Sequence, residues 1–166
     1  HQHLAGVAPL ALTPAMETRM RINRLAIVLS TALLAVAAAP ADARDTRQQF
    51  DIAQAIAAGK ADGTLDGSVQ FHFKGAPAPR AERLGPATTN KKTNAFGKSD
   101  QVACQWVMLS ALKALQAAAK ARGANAVIDI ESNYKSQPFS SATQYECGAG
   151  GLMAGVALKG VYAKVK

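Results

Sequence analysis

The sequence predicts an α+β domain: one long helix packed on a small, mainly antiparallel sheet and stapled to it by a disulfide. Three observations carry this expectation. Apolar residues recur at helical spacing from Asp100 to Arg122. Ser68–Lys74, Ala124–Glu131 and the C-terminal residues alternate with the period of two that marks half-buried strands. Cys104 and Cys147 are the chain's two cysteines, and the N-terminal segment directs them toward an oxidising space.

The 166 residues, 49% of them hydrophobic, suit one domain with a packed core. Part of that apolar content belongs to a targeting segment. Residues 1–19 begin with His and read as an over-extended start, with Met16 or Met20 as the initiator. Arg21 and Arg24 then form a basic region, Leu25–Ala39 is an uncharged run of 15 residues, and Ala41-Asp42-Ala43 is a small-x-small cleavage site. A membrane span needs about 20 apolar residues, so 20–43 reads as a secretory signal cut between Ala43 and Arg44. No cysteine follows to take a lipid anchor. The expectation is a periplasmic protein without stable membrane insertion, folded as a single domain over residues 44–166.

Within that domain Arg44–Gly59 fits a short strand or one to two helical turns; the preferred reading is a helix over Ile52–Ala58 closed by Gly59. Asp62-Gly63 and Asp66-Gly67 are turn dipeptides, and their carboxylates lack calcium-loop spacing. Ser68–Lys74 is a strand with Val69, Phe71 and Phe73 inward. His72 falls on its polar face, and one imidazole without partners reads as surface rather than as a metal ligand. Gly75–Pro86, with Pro77, Pro79 and Pro86, reads as a loop, and Thr88–Ser99 as polar, extended chain.

Gly97-Lys98-Ser99 resembles the end of a phosphate-binding loop, but Lys92 stands where the first glycine of Gly-x4-Gly-Lys-Ser belongs. The triplet is instead a helix start, with Ser99 or Asp100 as N-cap. In the helix, Cys104, Met108, Ala111, Leu115, Ala118 and Arg122 form the stripe, widened by Val107, Leu112 and Ala119. Lys113, Gln116, Lys120 and Arg122 lie on or flank the wet side, Trp106 closes the edge of the core in preference to forming part of a binding surface, and Gly123 caps the end.

Ala124–Glu131 is a strand with Ala126, Ile128 and Ile130 on one face. Val127, Asp129 and Glu131 lie on the other, the two carboxylates forming a solvated pair. Ser132–Ala142 is a polar connection and a candidate interaction loop, with Tyr134 and Phe139 exposed or folded back. The next strand begins at Thr143–Cys147 and is interrupted by a bend or bulge at Gly148–Gly151. Leu152–Lys166 is a final strand, its glycines relieving close approach beneath the helix.

Residues 44–166 carry 16 basic against nine acidic side chains. The charges are scattered and no aromatic residues interleave with them, which describes a solvated basic surface rather than a nucleic-acid site. Two cysteines in an exported chain predict a Cys104–Cys147 disulfide. Closing a loop of 43 positions is worth about 4 kcal/mol in the chain-entropy model.

Several segments carry a resemblance. Thr88-Thr-Asn-Lys-Lys-Thr-Asn-Ala-Phe96, Lys98-Ser-Asp100, Ala-Cys-Gln-Trp106, Gly-Ala-Asn-Ala-Val127, Tyr-Glu-Cys147 and Gly-Val-Ala-Leu-Lys-Gly160 resemble a group of small exported proteobacterial proteins. Their customary label is excinuclease ATPase subunit. That label implies complete phosphate-binding loops and cysteine-rich zinc modules, and this sequence has neither. More distantly, the helix followed by Gly-Ala-Asn-Ala-Val and a terminal Gly-x-Ala-Leu strand is similar to two further families. These are the YbjQ-type heavy-metal-binding domain and the disulfide-bonded outer-membrane sensor lipoprotein of the Rcs envelope-stress system. Both imply a helix against a small antiparallel sheet. The functional expectation is a non-enzymatic module, without cofactor or catalytic residue, that binds an unknown envelope protein or ligand. The alternative is a small-ligand or metal-binding oligomer.

Overall fold

The computed structural model describes residues 44–166; the signal segment, the start at Met16 or Met20, and Ala43 lie outside the described residues. The chain runs β1 (Asp45–Asp51), α1 (Ile52–Ala61), β2 (Gln70–Phe73), β3 (Ala81–Asn94), α2 (Asp100–Ala121), β4 (Ala126–Ser132), a 3-10 turn (Tyr134–Ser136), β5 (Gln144–Gly150) and β6 (Met153–Val165). Six strands form one sheet, and β2–β4 is its single parallel pair among the described residues. The architecture is α+β, as the sequence predicts.

β6 is the axis of the sheet. Along one edge it pairs with β3 over its whole length, from Met153 opposite Asn94 to Val165 opposite Ala81. Along the other edge its first residues pair with β5 and its later ones with β4. The sheet therefore forks there, with β1 beyond β5 and β2 beyond β4. β3 pairs on one side only among the described residues. That open position tolerates Pro86, which has no ladder donor to give.

Both helices cover one face. Ser99 caps α2, accepting from the Val102 amide at 3.2 Å. Ala103, Cys104, Val107, Met108, Leu112, Leu115 and Ala119 are buried against Val127, Ile130, Cys147, Val156 and Leu158. Burying each of the larger side chains contributes about 1.5–3 kcal/mol. Cys104 and Cys147 are bonded, both fully buried, with their Cα atoms 5.9 Å apart. The bond joins the second turn of α2 to β5.

Several expectations need correction. The segment before Gly59 is both a strand and a helix: β1 runs to Asp51, whose carboxylate caps α1 by accepting from the Gln54 amide at 2.8 Å. Gly59 does not close α1 but lies inside it, buried, where a Cβ would sit 2.6 Å from Leu109; its smallness lets the two helices cross. β3 begins inside the supposed Pro-rich loop, with a register shift between Arg83 and Gly85. Gln116 is buried rather than wet. Its carbonyl accepts from the Asp66 amide at 3.1 Å and so pins the α1–β2 connection. Arg122, by contrast, is exposed as expected of a residue flanking the wet side, and lies over the Tyr162 ring at 4.6 Å.

The faces of β4 are also not those of uniform alternation. Asp129 takes a positive φ of 51°, and the register against β6 shifts between Ile128 and Glu131. Such a bulge resets which side chains point inward. Val127 and Ile130 join the core beneath α2, while Ala126 and Ile128 pack with Ala163 on the opposite face.

Gly148–Gly150 does not bend the chain; β5 continues through it and turns at Gly151-Leu152. The glycines serve the face away from the helices. A Cβ on Gly148 would lie 2.0 Å from Tyr134 Cζ, and one on Gly155 would lie 3.2 Å from the same ring. Tyr134 is folded back as a strap across this trough, its hydroxyl donating to Asp45 at 2.9 Å.

Two outcomes follow from this packing. Gly148→Ala is expected to cost about 1–3 kcal/mol, the range for inserting a methyl group into filled space. The cost should shrink when it is added to Tyr134→Ala; equal costs in the two backgrounds by urea unfolding would remove the strap from the account. Replacing both cysteines with alanine is expected to cost about 2–4 kcal/mol, read as a lower urea midpoint than that of the unreduced parent.

Candidate functional site

The residues singled out in the sequence are mostly occupied internally. The disulfide is sealed in the core. Arg44, next to the expected cleavage point, makes two 2.7 Å bonds to the Asp100 carboxylate at the start of α2. In the candidate interaction loop, Phe139 exchanges backbone hydrogen bonds with Ser132. Tyr134 lies against Gly148, with Arg47 over its ring at 5.4 Å. That loop clasps β1 to the outer face of the sheet. His72 is half-buried at the edge of a cleft of ≈ 280 Å³ that includes Ile56 and Phe71, and its Nε2 is 3.0 Å from the side-chain oxygen Oε1 of Gln70.

The outer face carries a buried carboxylate with several partners. Glu131, expected to be solvated, is 8% exposed. Ser140 donates to it, and Lys74 and Lys159 approach it at 3.4 Å each. The Ser140 hydroxyl, with the two lysines, holds this carboxyl below its usual range against the opposing effect of burial. Asp129, at the bulge, pairs with Arg83 at 2.9 Å. Both line a shallow cleft of ≈ 310 Å³. A carboxylate held ionised among cations does not supply a proton at neutral pH. Among the described residues no group of three or more His, Cys, Asp or Glu side chains is placed to hold a metal ion.

What stands out is apolar. Phe96 is 72% exposed, Leu152 68%, Trp106 66%, Val102 56% and Met153 49%. Trp106 does not close the core, because its position turns it away from the sheet. The buried line of α2 runs through Cys104, Val107, Met108 and Ala111, whereas Val102 and Trp106 stand one turn apart on the opposite side. Phe96 lies in the short β3–α2 loop, and Leu152-Met153 form the β5–β6 turn. These two segments are joined, the Ala95 amide donating to the Leu152 carbonyl at 2.8 Å. Ser99 and the Arg44–Asp100 pair fix the start of α2 at the same end of the domain.

The sequence held a partial sign of this surface, since Trp106 falls outside the helical stripe. Phe96 and Leu152 gave none, being single apolar residues in polar or glycine-rich surroundings. Exposed apolar side chains are ordinary one at a time; several at one end of a small domain mark a contact surface. No protein-family model, curated protein or solved structure matches this chain.

The ion pairs predict a pH response. Asp100 is held below the ordinary carboxylate range chiefly by Arg44, and Asp45 chiefly by its bond from Lys135. In the unfolded chain such groups titrate near pH 4, so the unfolded state takes up protons first as pH falls. The stabilisation is present above about pH 4 and is lost as pH drops through the lower folded values. Urea midpoints should decline below that point, and Asp100→Asn should flatten the decline; an unchanged profile would mean the Arg44 clamp adds nothing.

Proposed function

We propose that this domain is a non-catalytic binding module of an exported protein, docking onto a component of the cell envelope through its apolar end. The observation that carries the reading is the joint exposure of Phe96, Val102, Trp106, Leu152 and Met153 where the β3–α2 loop, the β5–β6 turn and the start of α2 meet. Keeping such groups in water forgoes burial worth about 1.5–3 kcal/mol for each large side chain. A contact surface gives that exposure a purpose.

Two further features support an envelope setting. The segment 20–43 has the charge and hydrophobic grammar of a secretory signal. A buried disulfide suits the oxidising space to which such a signal leads. Arg44, which would be the first residue after cleavage, is already clamped to Asp100, so the domain needs nothing before it to hold β1 in place.

A photo-reactive amino acid at position 106 or 96, in cells exporting the protein, should form one dominant adduct with an envelope component, protein or lipid. The same probe at Lys60, exposed on α1, should not form it. Equal labelling at all three positions, or none at 106 and 96, would end the docking reading.

A further inference from the structure

Charge is distributed around the apolar end in a way that names its partner more closely. The nine acidic residues of 44–166 avoid the segments that build it. None occurs from Leu84 to Ser99, from Gln101 to Ile128, or from Cys147 to Lys166. Of the acidic residues near them, Asp100 is paired with Arg44, and Asp45, opposite Gly150 in β5, is paired with Lys135. The same segments carry Lys91, Lys92 and Lys98 on β3 and its following loop, and Lys113 and Lys120 on the exposed side of α2 that bears Val102 and Trp106. Among the described residues, none of these five lysines except Lys120, paired with Asp66, is held in an ion pair. The surface is therefore apolar at its tip and cationic around it.

Its shape narrows the partner further. Phe96 and Leu152 project from two adjoining turns, and none of the five apolar residues lines any cleft described above. None lines the cleft beside Thr88, Asn90 and Lys135 either. Peptides are recognised by grooves or pockets that close around side chains. Side chains as exposed as Phe96 and Leu152, projecting from adjoining turns, can instead enter a surface that yields. A tryptophan and a phenylalanine at a rim of lysines, whose long stems carry their charge outward, match the boundary between acyl chains and anionic headgroups.

We infer that the apolar end binds the surface of an anionic lipid bilayer reversibly, with Phe96, Trp106 and Leu152 entering the headgroup boundary and Lys91, Lys92, Lys98 and Lys113 meeting phosphates. The inference rests on the docking reading and gives its occupant. The core is not recruited: α2 is apolar and long enough to span a membrane, but its inner face is packed on the sheet beside the disulfide.

The test uses protein recovered from the periplasm of expressing cells, its N-terminus fixed by intact mass. Vesicles of one part phosphatidylglycerol to two parts phosphatidylcholine should bind it at least about ten-fold more tightly than pure phosphatidylcholine, and salt of about 0.5 M should remove most of the difference. Trp106 is the chain's single tryptophan, so its emission should shift to shorter wavelength on binding. Phe96→Ser with Leu152→Ser should abolish the shift, and Lys91→Gln with Lys92→Gln should reduce the anionic preference, each without lowering the thermal midpoint. Equal binding to both vesicle types, or binding unaffected by these substitutions, would overturn the inference. No vesicle binding together with a protein adduct from position 106 would overturn the lipid and keep the docking surface. Failure of both experiments would remove both.

Discussion

The covalent bond between Cys104 and Cys147 sits where the largest elements of the fold meet. It fixes α2 to β5 at the point where the sheet forks, with β6 passing alongside. Everything packed under α2 depends on that seating: Val107, Met108, Leu112 and Leu115 lie on the sheet because the helix is held at one height above it. Small residues make the seating close. Ala103, Ala111 and Ala119 are fully buried along the same stripe, as are Ala149 and Ala154 on the strands near the fork. Close packing of small side chains gives little apolar area per residue, so the constraint on the unfolded chain matters more here than in a core of large ones.

The two faces of the sheet are finished differently. Beneath the helices lies a dry core. On the other face, the strap at Tyr134 covers the glycine trough at one end, and Glu131 collects Lys74, Lys159 and Ser140 at the other. A buried carboxylate with partners on several sides is costly to leave half-paired, so this network fixes the relation of β2, β4 and β6. The outer face is thus committed to holding the sheet together, and the apolar end is the part of the described domain left without an internal task.

The fold class and the helix were legible because both rest on short-range pattern. The stripe from Cys104 to Leu115 and the cap at Ser99 are set by neighbours within one or two turns, and export logic paired the cysteines. The misreadings share a different cause. Pro86 suggested a loop because nothing local shows that β3 is an edge strand. Gln116 looked wet because its partners, Asp66 and Thr64, are 50 and 52 residues away. Ile128 and Ile130 could not be assigned to opposite faces without seeing the bulge at Asp129. The exposed apolar end was hidden for the same reason, since the β3–α2 loop and the β5–β6 turn are joined only in three dimensions.

The open side of β3 has a consequence for behaviour in a crowded compartment. Fourteen residues of strand with one unpaired edge could serve as a template on which a second copy adds its own β3, and then a third. Two features of the strand work against such growth. Lys91 and Lys92 would bring like charges together in an antiparallel pair centred on them, and Pro86 with the irregularity beside it breaks the run of donors. The residues that made this stretch look least like a strand are therefore the ones that guard against fibre formation at the edge left open among the described residues.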